Sequence, residues 1–297
     1  GFIQVLWRSD APPVPAKTEP ATNPRISLAQ WMTDLDRGAG PLVARVIVNR
    51  LWQHHFGKGI VGTPNDFGFQ GERPTHPELL EWLAGELVRN GWRLKPLHRQ
   101  ILLSAAYQQS HVVNDEALKI DPANRYLWHY QTRRLDAELI RDALLAVGGN
   151  LDLSMYGPSI LDNTPRRSVY LRVKRSELLP IMTMFDAPEP TQSIGERVST
   201  TVPTQALAMM NSPFVRQQAE KLAARIRPTD EIPLGTAVEN AYRTTFSRPP
   251  TDSERERMLA FIESQRVAMG QTPDAAKRAL VEFCQIVLCL NEFVYID

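Results

Sequence analysis

The sequence predicts a mainly α fold, a multi-helix array or bundle with one small β hairpin or ribbon near residues 167–174. Three observations predict it. Apolar residues recur at three- and four-residue spacing along most of the chain, helix-capping patterns precede those runs, and a single stretch, RSVYLRVK at 167–174, alternates with period 2. At 297 residues the chain can form one large domain or two ordinary ones with a real core. Its 23 prolines imply interrupted helices joined by shaped loops.

Residues 11–24 (APPVPAKTEPATNP) are proline-rich without apolar periodicity and read as a linker. The apolar FIQVLW before them is strand-like, so 1–23 are expected to be a linker and the tail of an upstream domain. A helical domain over 24–297 follows, with a subdivision near 150–200. The start at Gly1, without Met, predicts a piece of something longer. Ser27 is placed as the cap of a first helix with Leu28, Trp31, Met32 and Leu35 inward. Pro41 suits the first turn of a second helix ending at Gly57. Thr75 with Glu78 forms a capping-box pattern opening a third, whose buried face includes Leu79, Leu80, Trp82, Leu83 and Leu87. Further helices are expected over 96–109, 123–129 and 136–147, the first with Leu97, Ile101, Leu102 and Ala105 inward. In the last, Leu139, Ile140, Ala143, Leu144 and Val147 form a stripe.

In the 167–174 strand, Val169, Leu171 and Val173 alternate with Tyr170, Arg172 and Lys174. A lone strand needs a partner, either residues near 156–161 or the N-terminal apolar segment. The C-terminal third reads as helices over 203–210, 213–226, 235–246, 253–268 and from about 274 to 290. Thr251 and Glu254 form a second capping box there.

Composition excludes several classes. Lys and Arg total 34 against 33 for Asp and Glu, a formal net charge of +1, which argues against global attraction to nucleic acid or an anionic membrane. No apolar run is long enough to span a bilayer. Cys284 and Cys289, five apart on one predicted helix, have Cα atoms separated axially by about 7.5 Å, too far for an unstrained disulfide.

No motif names a reaction. The six histidines form no HExxH pair, and no CxxCH is present to attach a c-type haem covalently. GxSxG, SxxK and both phosphate-loop patterns are also missing. The loop acids Asp66, Glu72, Asp186 and Glu189 offer a carboxylate pair only if two converge. Acids in loops more often cap, turn or partner arginine. A candidate cleft under the 57–74 loop would gather Arg50, His55, Asp66 and His76. A candidate anion-binding face comprises Tyr170, Arg172 and Lys174, beside the plainer reading of a solvated strand face. Arg45, Arg50 and Arg141, on otherwise apolar helices, are expected to pair with acids such as Asp66 and the neighbours of Asp142, tying loops to the helix layer.

The order of segments carries a resemblance. ARVIVNRLWQHHFGKGIVGTPNDFGFQGERPTHPELLEWLA at 44–84, GWRLKPLHRQILLSAAYQQS at 91–110, DPANRYLW at 121–128 and RRLDAELIRDALLAVGGNLD at 133–152 resemble a planctomycete-specific domain family of unknown function. RRSVY, FDAPEP, TVPTQALAMMNSPFV and the closing LNEFVYID continue the likeness. The resemblance implies an extracytoplasmic protein in which this domain lies beside a cytochrome c-like or glycan-binding module. It implies no cofactor in this chain, with haem only on an associated domain. The partners it implies are neighbouring domains of the same polypeptide and a possible glycan, without nucleic acid. It names no catalytic residue. The chemistry leaves two readings: a non-catalytic structural or interaction domain, or an extracytoplasmic enzyme acting on polysaccharide or linked to haem redox chemistry.

Overall fold

The structure, a computed structural model, describes residues 23–161, 164–174, 179–270, 272 and 274–296. The expected linker and the FIQVLW segment lie outside the described residues. The chain is mainly α with one small antiparallel β ribbon, and it divides between Gln131 and Thr132 into two compact units.

The first unit is built on α1 (Pro24–Thr33), α2 (Gly40–Phe56), α3 (Pro77–Arg89), α4 (Leu94–Leu102) and the short α5 (Asp115–Ile120). Asn23, not Ser27, caps α1 by accepting the Arg25 amide at 3.0 Å, and Leu28, Met32 and Leu35 are exposed, contrary to the inward face expected of them. α2 stops at Gly57, whose φ of 83° is open to glycine at little cost. From α2, Ala44, Val48, Leu51, Trp52 and Phe56 meet Leu80, Leu83, Ala84 and Leu87 of α3 and Leu97 and Ile101 of α4.

Between α2 and α3 the glycine-studded loop is pinned from beneath. Asn49, fully buried, donates to the Val61 carbonyl at 3.0 Å and accepts the Val61 amide at 2.8 Å. Thr75 does not form the expected capping box. Its amide and hydroxyl both go to the Ile60 carbonyl, at 2.9 and 3.2 Å, and His76 becomes the N-cap. Trp82, expected inward, is 48% exposed. α4 ends seven residues short of its expected limit, leaving Leu102 and Ala105 exposed. The helix expected over 123–129 is a series of turns, because Asn124 and Leu127 take positive φ and Asp121 binds the Tyr126 amide and the Trp128 indole.

The second unit contains α6 (Ala137–Val147), α7 (Pro180–Met184), α8 (Pro203–Asn211), α9 (Pro213–Ile226), α10 (Leu234–Phe246), α11 (Asp252–Ala268), α12 (Ala275–Cys289) and α13 (Asn291–Val294). α12 is the central element: it packs against α8, α9, α10 and α11, and Ala279, Phe283, Cys284, Val287 and Leu288 are wholly buried. Each large side chain among these contributes about 1.5–3 kcal/mol by leaving water. Cys284 and Cys289 are both free, and burial pushes both thiols up, Cys289 to about 11 against a weaker opposing hydrogen bond from Gln285. Ile140, Leu144 and Val147 of α6 join this core, whereas Leu139 points out.

The β ribbon lies elsewhere than 167–174. β1 (Arg133–Arg134) pairs antiparallel with β2 (Tyr295–Ile296), Arg133 opposite Ile296 and Arg134 opposite Tyr295. Residues 168–170 form a single 3-10 turn, and Val169 and Val173 are exposed. The segment retains one parallel bridge, Ile160 with Leu171, within the neighbourhood expected for its partner.

Two outcomes test this packing. Asn49→Ala strands the Val61 amide and carbonyl in the core and is expected to cost about 2–4 kcal/mol, read from the urea midpoint. A loss below about 0.5 kcal/mol would show that the loop is held otherwise. At the start of α11, Glu254 receives Arg248 at 2.8 and 2.9 Å and the Thr251 amide at 2.7 Å, completing the second capping box. The Arg248 hydrogen bonds hold the Glu254 carboxyl at about 2, against an ordinary 4.5. Its contribution is therefore complete above about pH 4.5 and lost as pH falls toward 2. Between about pH 5 and 2 the Tm of the native chain should fall more steeply than that of Glu254→Gln, the two converging at the acid end. Parallel curves would refute it.

Candidate functional site

Each predicted cleft residue has an identifiable place in the first unit. Arg50, half-buried on α2, donates to Asn65 Oδ1 at 2.7 Å. Asp66, next in the loop, is exposed. Its carboxylate accepts the Gly68 amide at 2.8 Å, while its carbonyl takes the Thr63 hydroxyl at 2.7 Å. That is the geometry of a turn-forming aspartate. His55 is the penultimate residue of α2, with its Nε2 2.8 Å from Nδ1 of His98 on α4, so one ring donates and the other accepts. The Tyr107 ring lies edge-on to His55 at 5.5 Å, and the Tyr130 hydroxyl donates to the His55 carbonyl at 3.2 Å. His76 touches Thr75 through Nδ1 at 3.0 Å and stands edge-on to Tyr126 at 6.0 Å. Arg50 thus reaches from α2 to the loop position next to Asp66, while His55 and His76 belong to two separate aromatic clusters.

Among the described residues no group of three or more His, Cys, Asp or Glu side chains is arranged to hold a metal ion. No helix of the described residues is long and apolar enough to cross a membrane.

The three residues of the predicted anion-binding face part company. The Tyr170 ring carries the chain's own Arg166, whose Cζ lies 4.0 Å from the ring centroid, and its hydroxyl accepts the Tyr156 amide at 2.8 Å. Arg166 also donates to the carbonyls of Ser154, at 3.1 Å, and Tyr156. Arg172 and Lys174 instead line a cavity of about 310 Å³ with Ile160, Leu171, Leu179 and Met182. Sequence reasoning missed the apolar half of this cavity, because it comes from the 160–171 segment together with α7 and the residues flanking it. The weak signal was the bridge-forming pair of apolar stretches at 156–161 and 167–174.

Two buried arginines organise the surroundings. Arg141, 2% exposed on α6, donates to the carbonyls of Arg166 at 2.9 Å and Thr164 at 2.7 Å. Its neighbour Asp142 accepts the Ser168 amide at 2.7 Å and hydroxyl at 2.6 Å. Ser168 is thereby tied through both amide and hydroxyl to one carboxylate. Arg134, with a side chain 4% exposed, reaches Asp186 at 2.7 Å. Asp186 occupies a left-handed conformation, φ 59°, and also accepts the Thr200 amide and hydroxyl at 2.8 and 2.9 Å. Burial pushes the Asp186 carboxyl up, but the Thr200 hydrogen bonds and the Arg134 charge outweigh it and hold the group below the usual carboxylate value. Of the four loop acids, Asp66 and Asp186 have therefore taken the plainer roles of turn former and arginine partner.

A helical chain whose acids and buried arginines bind its own loops is defined so far by architecture. The chain belongs to the PSD1 family, described as a protein of unknown function (DUF1553), whose model matches residues 24–262. No curated protein and no solved structure gave a significant match.

Asp186→Ala is expected to destabilise the second unit by about 3 kcal/mol or more, because it leaves the buried Arg134 charge uncompensated. Asp66→Ala, removing one exposed turn contact, should cost under about 1 kcal/mol. Denaturant midpoints of the two variants check the contrast, and equal losses would contradict the assignment.

Proposed function

We propose that this chain is a non-catalytic structural and interaction domain of a larger extracytoplasmic protein, beside a cytochrome c-like or glycan-binding neighbour. The resemblance to a planctomycete-specific domain supports the setting, and any haem then belongs to the neighbour. One observation carries the non-catalytic part: Asp66, Ser168, Asp186, Arg134 and Arg141 are engaged in turns or loop-fixing networks.

The first unit also leaves large apolar side chains in solvent. Phe69 is 105% exposed, Ile120 84%, Tyr126 74%, Val112 69% and Leu103 62%. We take these side chains as the ones in this unit open to burial against a partner. A neighbouring domain of the same polypeptide is the occupant consistent with the resemblance.

Photo-crosslinking in the full-length protein tests this. A benzophenone amino acid at Leu103 or Val112 should cross-link to peptides outside this 297-residue chain, whereas the same probe at Glu263 on α11 should not. Cross-links confined to the chain itself, or turnover of a polysaccharide by the isolated monomer, would overturn the reading.

A further inference from the structure

We propose that the cavity beside α6 and α7 in the second unit is a binding site for a small amphipathic carboxylate. The apolar body would lie against Leu171, Leu179 and Met182, and the carboxylate on Arg172. The site is distinct from the exposed apolar residues of the first unit and does not depend on the interaction reading.

Size comes first. An apolar cavity of about 150 Å³ already admits a benzene ring, so about 310 Å³ leaves room for a ring with a short chain. The volume sits at the lower end of ligand pockets, about 300–1,000 Å³, which are mostly apolar with a few placed polar groups. Ile160, Leu161, Leu171, Leu179, Met182 and Ala187 supply the apolar lining.

The polar lining then selects the charge. Glu138 would repel an anion, but Arg197 holds it bidentately at 2.7 and 3.0 Å. Burial pushes the Glu138 carboxyl up, but the Arg197 hydrogen bond, a backbone amide and the Arg197 charge together outweigh it, so the acid stays ionised and answered by its partner. Ser168 is committed, its hydroxyl donating to Asp142 at 2.6 Å and accepting from Arg141 at 3.2 Å. Arg172 differs from both. Its backbone amide goes to the Ile160 carbonyl at 2.9 Å, which fixes its position at the cavity. Its guanidinium is exposed and has no acidic partner among the described residues. A guanidinium presents two parallel N–H donors that match a carboxylate. An apolar chamber with that fork on its lining fits a ligand that is hydrocarbon at one end and carboxylate at the other.

Isothermal titration of the chain with 4-phenylbutyrate and its uncharged analogue 4-phenylbutan-1-ol tests the proposal. The carboxylate should bind saturably and about ten-fold more tightly than the alcohol, the lower end of what a hydrogen bond to a charged group gives. Arg172→Gln, at an exposed position, should erase that difference. Ala187→Met, which fills the chamber, should abolish binding of both compounds, with circular dichroism confirming the fold. The proposal fails if the native chain shows no saturable binding, if carboxylate and alcohol bind equally, or if Arg172→Gln leaves the preference intact. None of these failures would alter the cross-linking outcome at Leu103 or Val112.

Discussion

A guanidinium buried under an apolar helix layer must find acceptors for its donors, and two such groups decide where the loops of the second unit run. Arg141 projects from α6 and meets the Thr164 and Arg166 carbonyls, while Asp142 captures Ser168. Those contacts bend 164–171 into its 3-10 turn and bring Leu171 against Ile160. Arg134, in the ribbon itself, draws in Asp186, which in turn receives Thr200. An unmade hydrogen bond at a buried charge costs more than the net gain from making it. These groups therefore act chiefly by excluding alternative loop paths.

The first unit uses a neutral version of the same device. Asn49 offers its amide to both backbone groups of Val61, and Thr75 meets Ile60 from the far end of the loop. The residues between are left to short-range turns such as Thr63 with Asp66. A helix side chain reading the backbone of a distant loop position is one physical solution reached twice.

Much of the architecture was legible because it is local. The run from Pro213 to Ile226 and the Thr251–Glu254 box depend on neighbours within one or two turns, and both fall where periodicity and capping place them. Thr75 and Glu78 present the same local pattern as Thr251 and Glu254, yet a carbonyl fifteen positions earlier takes the threonine hydroxyl. The 167–174 stretch fails for the same reason. Its alternation is real, but Asp142 removes the Ser168 amide from any ladder and Arg166 covers Tyr170. In the candidate sites, Arg172 and Lys174 could be singled out as a cationic pair. The cavity they line could not, since α6 and α7 reach it from outside that segment.

Rigidity of this kind bears on function. A catalytic lid is drawn from weakly held segments, with few buried contacts and solvent-exposed backbone. The 57–75 loop and the 164–171 and 185–200 stretches are held instead at several points by side chains at least partly buried: Asn49 below the first, Arg141 and Asp142 below the second, Arg134 and Asp186 at the third. Opening any of them would expose a charge or strand a backbone group. Such loops suit a surface that must keep one shape, and a shape held without a partner's help loses little further entropy when another domain or a small ligand settles against it.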